Sequence, residues 1–234
     1  MIDPATSKKK FFLLGIILFV LTLFSYANTL YSPLNFDDHA VIQQLETSDS
    51  DIYQRLPPLQ HRHLFHLSFS INHSQWGTNP FGYHLINITF HFLTSLVLLF
   101  IVFFTLENGS DWHGKHALGI AGLTAILFTI NPLNTETVTY ISGRASGMAG
   151  FFYLTAILLF ILGSLKKYSG KFLLIPFYIF TLVAFLAAVL SKETSLTLPA
   201  IIILYDLCFM KNNHWVSFKN RLYFLYLPFL FSFL

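Results

Sequence analysis

Two adjacent carboxylates follow the first apolar run of this chain and are its clearest candidates for chemistry. They are Asp37 and Asp38. Two carboxylates in a partly desolvated site have their proton affinities pushed apart, so one of them can serve to abstract a proton. The alternative is a solvated loop in which Asp38 caps a helix that starts at His39. The pair therefore predicts either a general base or a helix cap.

Two further short connections each carry an acid and a base. Glu136 and Arg144 lie between the third and fourth apolar runs, and Lys192 and Glu193 form the turn between the fifth and sixth. Ionisable groups beside hydrocarbon are expensive, and they are usually retained for pairing or for a polar substrate pathway. We expect Lys192 to have an anionic partner, which could be Glu136, Glu193 or a phosphate. The alternative is a helix-end cap with a snorkelling lysine.

A stripe of polar residues runs along the second apolar run. Its members recur at helical spacing and are His84, Asn87, His91 and Ser95. Such a stripe should face protein and not lipid. Hydrogen bonding between helices is the first interpretation, and the lining of a substrate cavity is the second. Three nearby histidines match no known ligand spacing, so no metal site is predicted; they are His61, His63 and His66.

Membrane-spanning helices must position these groups. The chain has 234 residues, of which 54% are hydrophobic and 11% charged, against about 25% charged in an ordinary soluble domain. Apolar runs recur at roughly 20-residue intervals, which suits a hydrocarbon layer about 30 Å thick. The alternation of a barrel strand is absent, so the sequence predicts an all-α membrane protein with about seven transmembrane helices. The runs cover residues 11–27, 85–106, 117–130, 148–165, 172–190, 195–210 and 222–234.

The distribution of basic residues predicts the orientation of these helices. With a cytoplasmic amino terminus, ten lysines and arginines lie on the cytoplasmic side and four on the other, as the positive-inside rule requires. The acidic pair, Glu136, Arg144, Lys192 and Glu193 then share the extracytoplasmic side. The first run could instead be a signal peptide, since lysines precede it and Ser25-Tyr26-Ala27 resembles a cleavage site.

The chain is expected to form a single transmembrane domain over residues 1–234, with a large first extracytoplasmic loop over residues 28–83. In that loop, residues 39–45 and 64–72 are predicted to be amphipathic helices on the membrane surface, joined by a polar segment that ends at Pro57-Pro58. The last apolar run has no basic tail, so we expect the amino-terminal part of a longer protein. The single cysteine, Cys208, lies in an apolar run and is expected to be buried.

Four stretches carry recognisable motifs. They are Asn35-Phe36-Asp37-Asp38-His39; Asn79-Pro80-Phe81-Gly82-Tyr83-His84-Leu85-Ile86-Asn87, with Arg62-His63-Leu64 upstream; Asn131-Pro132-Leu133-Asn134-Thr135-Glu136-Thr137-Val138, continuing into Gly143-Arg144-Ala145-Ser146; and Ser191-Lys192-Glu193. Their order and spacing resemble the GT-C glycosyltransferases of the TMTC type, protein O-mannosyltransferases with a TPR tail, and their bacterial relatives. The likeness extends from about Tyr31 to Asp206. The family usually has His where this chain has Asn131 and Asn134, and Asp where this chain has Ser146.

The resemblance implies a GT-C-like bundle that transfers a mannose-like sugar from a polyprenyl- or dolichyl-phosphate donor to an acceptor hydroxyl by an inverting displacement. In that mechanism Asp37 would remove the acceptor proton, and Asp38 would orient either Asp37 or the acceptor. Lys192 and Arg144 would stabilise the leaving phosphate. Glu136 and Glu193 would hold those cations or bind sugar hydroxyls. Arg62 and His84, which lie in the same motifs, complete the predicted substrate-binding set.

The resemblance also implies the partners and the location. The acceptor would be a protein Ser or Thr or a glycan hydroxyl on the extracytoplasmic or lumenal side, with no tightly bound cofactor. Independently of the resemblance, the net charge of +3 is too small, and the lysines and arginines too scattered, to indicate a nucleic acid partner. The membrane would be the inner membrane of a bacterium or the endoplasmic reticulum of a eukaryote. Two other functions fit the same residues: a transporter or flippase for lipid-linked sugars, and a noncatalytic membrane subunit.

Overall fold

The regular structure of the described residues is entirely helical. A computed structural model describes residues 4–47, 62–107, 111–164 and 171–209. Short 3-10 turns, Pro132–Asn134, Ile141–Gly143 and Glu193–Thr197, connect some of the helices. The α-helices in these ranges are α1 (Pro4–Tyr26), α2 (Asp37–Thr47), α3 (His63–Trp76), α4 (Pro80–Glu107), α5 (Asp111–Thr129), α6 (Thr135–Thr139), α7 (Arg144–Ser164), α8 (Lys171–Ser191) and α9 (Leu198–Phe209).

Several of these helices are long and apolar enough to cross a membrane. Three stretches qualify in the described residues, Lys8–Thr29, Pro80–Glu107 and Ile141–Ser164, and Ile175–Ser191 is a shorter apolar helix. The all-α membrane architecture is thus confirmed. The first six predicted runs each contain a described helix, whereas the run over 222–234 lies outside the described residues. The number of seven spans therefore stays a prediction.

A bend interrupts the third predicted run. The segments Gly114–Thr129 and Pro132–Thr139 are together long and apolar enough to cross a membrane. Their axes are inclined at 50° to each other. Proline has no N–H to continue the hydrogen-bond ladder of a helix. The side chain of Asn131 accepts a hydrogen bond from the backbone N–H of Leu133 and caps the turn that follows the break. This bend directs the Pro132–Gly143 connection across the end of the bundle.

Apolar clusters join the described helices. Leu18, Leu99, Ala121 and Ala125 join α1, α4 and α5. A larger cluster joins α7, α8 and α9 around Phe160, Phe185, Leu198 and Ile202. The third cluster anchors α2 and α3 against the beginnings of α4 and α7; its buried residues are Ile42, Phe65, Phe69, Tyr83, Ile141 and Ala145. In a membrane these side chains would otherwise contact lipid, so close van der Waals packing and hydrogen bonds between helices stabilise such an arrangement.

The helix directions gather five helix ends at one end of the bundle, which we call the site end. It contains Tyr26, Pro80, Thr129, Arg144 and Ser191, which end or begin α1, α4, α5, α7 and α8. The rings of Tyr26 and His91 lie 5.1 Å apart, and the Nε2–H of His91 donates to the carbonyl of Thr129 at 3.0 Å. At the opposite end Thr105 contacts Tyr205 through their hydroxyl groups, 2.6 Å apart.

Two expectations about the loop and the cysteine have different outcomes. The helices predicted over 39–45 and 64–72 are confirmed as parts of α2 and α3, while their alignment along the membrane surface stays a prediction. The segment that ends at Pro58 lies outside the described residues. The expectation that Cys208 is buried is wrong, because Cys208 lies with Leu204 and Leu207 on a face of α9 that the described helices leave exposed.

Candidate functional site

Asp38 is buried and fixes the acidic loop to the beginning of α7. Only 1% of its surface is exposed. Its Oδ1 atom accepts hydrogen bonds from the backbone N–H of Ser142 at 2.8 Å and from the hydroxyl of Ser142 at 2.5 Å. Its Oδ2 atom accepts from the backbone N–H of Asn35 at 3.1 Å. The alternative of a helix that starts at His39 is therefore incorrect in detail, because α2 already begins at Asp37.

Asp37 differs from its neighbour in being exposed. Its backbone N–H donates to the hydroxyl of Tyr140 at 3.1 Å, so the position of the residue is set by the connection before α7. The preceding residue, Phe36, has a φ of 48°, in the left-handed region that non-glycine residues rarely adopt. Such strain persists only where the surrounding structure imposes it, and it is common at functional sites. The loop thus presents one free and one anchored carboxylate.

Arg144 is a buried junction between three helices. Its Nε–H donates to Oδ1 of Asn87 at 2.9 Å, and its Nη2 donates to Oδ1 of Asn72 at 2.7 Å and to the carbonyl of Tyr83 at 3.0 Å. The guanidinium carbon also lies 4.3 Å from the centre of the Phe69 ring. Its acceptors are neutral groups of α3 and α4. These contacts favour a positioning role for Arg144 over the predicted direct role at a leaving phosphate.

The polar stripe of α4 faces protein, as predicted. His84, Asn87, His91 and Ser95 are all buried. The Nε2–H of His84 donates to the carbonyl of Ser32 at 3.1 Å, and Nδ2 of Asn87 donates to the carbonyl of Tyr140 at the same distance. The hydroxyl of Thr129 donates to the Ser95 hydroxyl at 3.0 Å. The interpretation as hydrogen bonding between segments is therefore confirmed. His84 in particular holds the chain that leads into the acidic loop.

Lys192 lies half-buried at the site end and lines a cavity of about 320 Å³. Its Nζ atom donates to the hydroxyl of Ser146, in the first turn of α7, at 2.8 Å. Within the described residues no carboxylate lies within 4.0 Å of this ammonium, and the residues that line the cavity include no acid. Of the predicted anionic partners, neither Glu136 nor Glu193 is in contact with it. Of the three predicted anionic partners of Lys192, a phosphate is therefore the one that these contacts still allow.

Glu193 pairs with Arg62 instead. The Nη2 and Nε atoms of Arg62 donate to the two carboxylate oxygens of Glu193 at 3.0 and 3.2 Å. The hydrogen bond from Arg62 is the main cause that lowers the pKa of Glu193 below its ordinary value. Arg62 itself has a φ of 41°, so both left-handed non-glycine residues of the described chain lie at the site end. This pair joins the beginning of α3 to the turn that carries Lys192.

Glu136 takes no part in these contacts. It lies exposed on α6 and forms no ion pair within the part of the chain that the structure describes. Within the described residues neither Glu136 nor Glu193 forms an ion pair with Arg144 or Lys192, and the alternative that these acids bind sugar hydroxyls stays a prediction. Instead, Arg144 donates to Asn72 of α3 and to Asn87 and the carbonyl of Tyr83 of α4, and Lys192 donates to Ser146 of α7. Glu136 remains accessible for a ligand.

A second cavity, of about 200 Å³, lies between α4, α5, α6 and α7. It adjoins the cavity at Lys192, since Ser146, Gly150 and Leu154 line both. The polar residues on its wall are Asn87, His91, Thr94, Asn134, Thr137, Arg144 and Ser146. Asn87 and His91 of the stripe therefore line a cavity, and the interpretation of that cavity as a substrate site stays a prediction.

Sequence reasoning missed the neutral residues that hold the site together. Ser142, Tyr140 and Asn72 position Asp38, Asp37 and Arg144, respectively. Tyr140 and Ser142 lie within three residues of the Gly143-Arg144 motif, and this proximity to a recognisable motif is what could have indicated them. Asn72 carried no signal beyond being a polar residue in an amphipathic helix. In the described residues no group of three potential metal ligands occurs.

Comparison with known proteins shows relatives that are named protein O-mannosyl-transferases. Protein O-mannosyl-transferase TMTC1 of Homo sapiens is 33% identical over 171 residues, which cover 69% of this chain and 18% of that protein. The chain is related to the TMTC proteins. TMTC3 of Mus musculus is 31% identical over 148 residues, and TMTC2 of the same species is 26% identical over 204 residues. Those alignments cover 62% and 77% of this chain and 14% and 22% of the relatives.

The relationship to TMTC proteins confirms the resemblance seen in the motifs. The chain spans less than a quarter of the length of these relatives. No protein-family profile and no solved structure matched the chain. The TMTC likeness therefore indicates a class of protein, while the arrangement of the site comes from the contacts described above.

Proposed function

We propose that this chain belongs to a membrane glycosyltransferase that transfers a mannose-like sugar from a polyprenyl- or dolichyl-phosphate donor to an acceptor hydroxyl. The observation that carries the proposal is the presence, at one end of the bundle, of an exposed carboxylate at Asp37 and a cation at Lys192 without a carboxylate partner in the described residues. The name of the relatives, protein O-mannosyl-transferase, supports the reaction class and a protein acceptor.

Asp37 is the proposed general base. It is exposed, whereas the oxygens of Asp38 already accept three hydrogen bonds from the loop and from Ser142. In the proposed step Asp37 takes the proton of the acceptor hydroxyl as that oxygen attacks the anomeric carbon. The bond from the anomeric carbon to the phosphate oxygen breaks, and its electron pair leaves with the lipid phosphate. A well-placed general base contributes about 10²- to 10⁴-fold to such a rate.

Lys192 is the proposed electrostatic stabiliser of the leaving phosphate. Negative charge grows on that phosphate as the glycosidic bond breaks, and a fixed cation in a site of low dielectric stabilises the transition state. Ser146 holds the ammonium at 2.8 Å, so the cation is positioned before the substrate arrives. Arg144 positions α3 and α4 around this site, because its donors are engaged by protein acceptors.

The remaining predicted residues have supporting roles in this proposal. Arg62 and Glu193 fasten α3 to the turn that carries Lys192, and His84 fastens the segment before the acidic loop to α4. Glu136, which is exposed, is available for a sugar hydroxyl. We place the site on the extracytoplasmic or lumenal side, in the inner membrane of a bacterium or the endoplasmic reticulum of a eukaryote. The lipid-linked sugar is a co-substrate, and the proposal requires no tightly bound cofactor.

A transfer assay with a panel of polyprenyl-phosphate sugars tests this function. The purified chain in nanodiscs is given each donor and an acceptor with free hydroxyl groups, and product formation and donor binding are both measured. We expect Asp37→Asn to lose most of the turnover and to retain donor binding. The matched control is Glu107→Gln, which removes an exposed carboxylate at the far end of α4.

The outcome separates the proposed enzyme from its two rivals. Retained transfer in Asp37→Asn would remove Asp37 from the role of base. Donor movement across the bilayer without product would favour a flippase. A folded chain that neither binds the donor nor moves it across the bilayer would favour a noncatalytic subunit.

A further inference from the structure

Asn87 lies at the centre of a series of hydrogen bonds that connects the buried Arg144 to the exposed Asp37. The series runs from Arg144 through Asn87 and Tyr140, and we call it the Asn87 relay. We propose that Asn87 and Tyr140 are positioning residues that fix Asp37 through this relay and so set its geometry as a base. The role of Asp37 as a base rests on the proposed function, whereas the relay rests on the contacts below.

Arg144 determines which way the amide of Asn87 faces. A guanidinium only donates hydrogen bonds, so the Asn87 atom that lies 2.9 Å from its Nε must be the oxygen Oδ1. The amide nitrogen Nδ2 then faces the connection before α7 and donates to the carbonyls of Tyr140 at 3.1 Å and Ile141 at 3.3 Å. The reverse orientation would lose both sets of contacts. Only 3% of Asn87 is exposed, so such a loss would be costly.

Tyr140 transmits the position of this connection to Asp37. Its carbonyl accepts from Asn87 and also from the backbone N–H of Gly143 at 3.0 Å, so its backbone is held from two sides. Its hydroxyl accepts from the backbone N–H of Asp37 at 3.1 Å. Asp37 is the first residue of α2, and the first N–H groups of a helix have no partner within that helix. The Tyr140 hydroxyl therefore supplies, from a distant segment, the acceptor that a capping side chain often provides.

The neighbouring acid is held by the same connection through a different residue. Ser142 donates to Asp38 from its backbone N–H at 2.8 Å and from its hydroxyl. The two acids thus have separate attachments. Loss of the Tyr140 hydroxyl should release Asp37 and leave the anchor of Asp38 in place. The relay can therefore be tested while the acidic loop stays attached to the bundle.

Hydrogen–deuterium exchange tests the relay without any assumption about activity. Uptake in the segment around Asp37 is measured on the full 234-residue chain in nanodiscs and on two variants. Tyr140→Phe retains the ring and loses the acceptor, so we expect the Asp37 amide to exchange about fivefold faster. Asn87→Asp should also accelerate this exchange, because an ionised carboxylate can pair with Arg144 but cannot donate to the Tyr140 carbonyl.

The matched control removes a tyrosine hydroxyl at the other end of the bundle. Tyr205→Phe loses the 2.6 Å contact with Thr105 and should leave exchange around Asp37 unchanged. Tyr140→Phe should keep nearly the melting temperature of the unaltered chain, since Tyr140 is only half-buried and Asp37 is exposed. The inference is overturned if either Tyr140→Phe or Asn87→Asp shows the same exchange around Asp37 as the unaltered chain.

Transfer kinetics test whether the relay acts through the base. We expect Tyr140→Phe to lower kcat by about tenfold and to leave the donor KM unchanged, because small displacements of a reacting group are costly. The double variant with Asp37→Asn should be no slower than Asp37→Asn alone. A further multiplicative loss in the double variant would show that Tyr140 acts independently of Asp37 and would overturn the positioning role.

The two measurements separate this inference from the proposed function. Faster exchange in Tyr140→Phe, in a protein with no sugar transfer, would retain the relay and reject the enzyme. Sugar transfer with the same kcat in Tyr140→Phe and in the unaltered chain would retain the enzyme and reject the positioning role.

Discussion

The carboxylate of Asp38 accepts a 2.8 Å hydrogen bond from the backbone N–H of Ser142, across 104 positions of sequence. One turn further along, Ser146 accepts the 2.8 Å hydrogen bond from the ammonium of Lys192. The acidic loop and the end of α8 are therefore fixed to the same few residues at the beginning of α7. This arrangement gives the two acids different tasks, since Asp38 anchors the loop and Asp37 is exposed.

Asp38→Asn is expected to destabilise the protein more than Asp37→Asn. An amide retains only one acceptor oxygen where the carboxylate of Asp38 accepts from Asn35 and twice from Ser142. Hydrogen bonds to charged groups contribute about 1.5–3 kcal/mol each. We therefore expect a loss of about that size for Asp38→Asn in thermal unfolding in detergent. Equal melting temperatures for the two variants would contradict the anchoring role.

Arg144→Lys is expected to be nearly as destabilising as Arg144→Leu. A lysine has no planar fork, so it cannot donate to Asn87, Asn72 and the carbonyl of Tyr83 together. Unsatisfied buried acceptors cost about 1–3 kcal/mol each. Melting temperatures in detergent measure the effect, with Arg62→Leu as the control because Arg62 forms a partly exposed pair. A stable Arg144→Lys variant would show that charge alone suffices.

Gly143→Ala is expected to distort the turn before α7. A Cβ atom at this position would lie 2.5 Å from the backbone carbonyl oxygen of Glu136, which cannot move without displacing α6. Overpacking of this kind typically costs about 1–3 kcal/mol. Gly119→Ala is the control, because its Cβ meets open space and alanine favours a helix. If chemical denaturation gives the two variants the same stability, the close approach is not a constraint.

The Arg62–Glu193 pair predicts a pH dependence that a double-mutant cycle can detect. Because the hydrogen bond from Arg62 lowers the pKa of Glu193, the folded protein keeps this carboxylate charged where an unfolded chain would bind a proton. The stabilisation is complete above the ordinary glutamate pKa of about 4.3 and is lost as the pH falls through the lowered value. Both side chains are about 40% exposed, with values of 38% and 41%, so we expect coupling below about 1 kcal/mol.

The cycle uses Arg62→Gln, Glu193→Gln and the double variant, with unfolding measured at neutral and at acidic pH. Coupling should be favourable at neutral pH and absent at acidic pH. A coupling energy that increases toward acidic pH would contradict the prediction, because a pair with a charged Glu193 must weaken when that carboxylate binds a proton.

The helices were the most predictable part of the fold. Long apolar runs have few alternatives in a membrane, so the sequence predicted α1, α4, α7 and α8, each with its end within one residue of the observed one, although α1, α4 and α7 begin four to seven residues earlier than predicted. The stripe of His84 to Ser95 was predictable for the same reason, since polar groups in a spanning helix must find partners in protein. The break at Pro132 was only partly evident, because a proline marks a disruption without giving its angle.

The partners of the charged residues were not predictable from the sequence. Glu136 and Glu193 were both plausible partners for Lys192, yet Glu193 pairs with Arg62 at the beginning of α3, and Lys192 donates to Ser146 of α7. Such choices depend on distances of a few ångströms between distant segments. The exposure of Cys208 was missed for a related reason, since an apolar run alone does not say which face of its helix is covered.

Cysteine accessibility tests the shared location of the acidic loop and the Lys192 turn most directly. Asp37→Cys and Lys192→Cys are placed separately in a Cys208→Ser background, and each is labelled in sealed vesicles with a membrane-impermeant maleimide from one side at a time. The account predicts that both cysteines react from the same side. Labelling of position 37 from one compartment and position 192 from the other would contradict it.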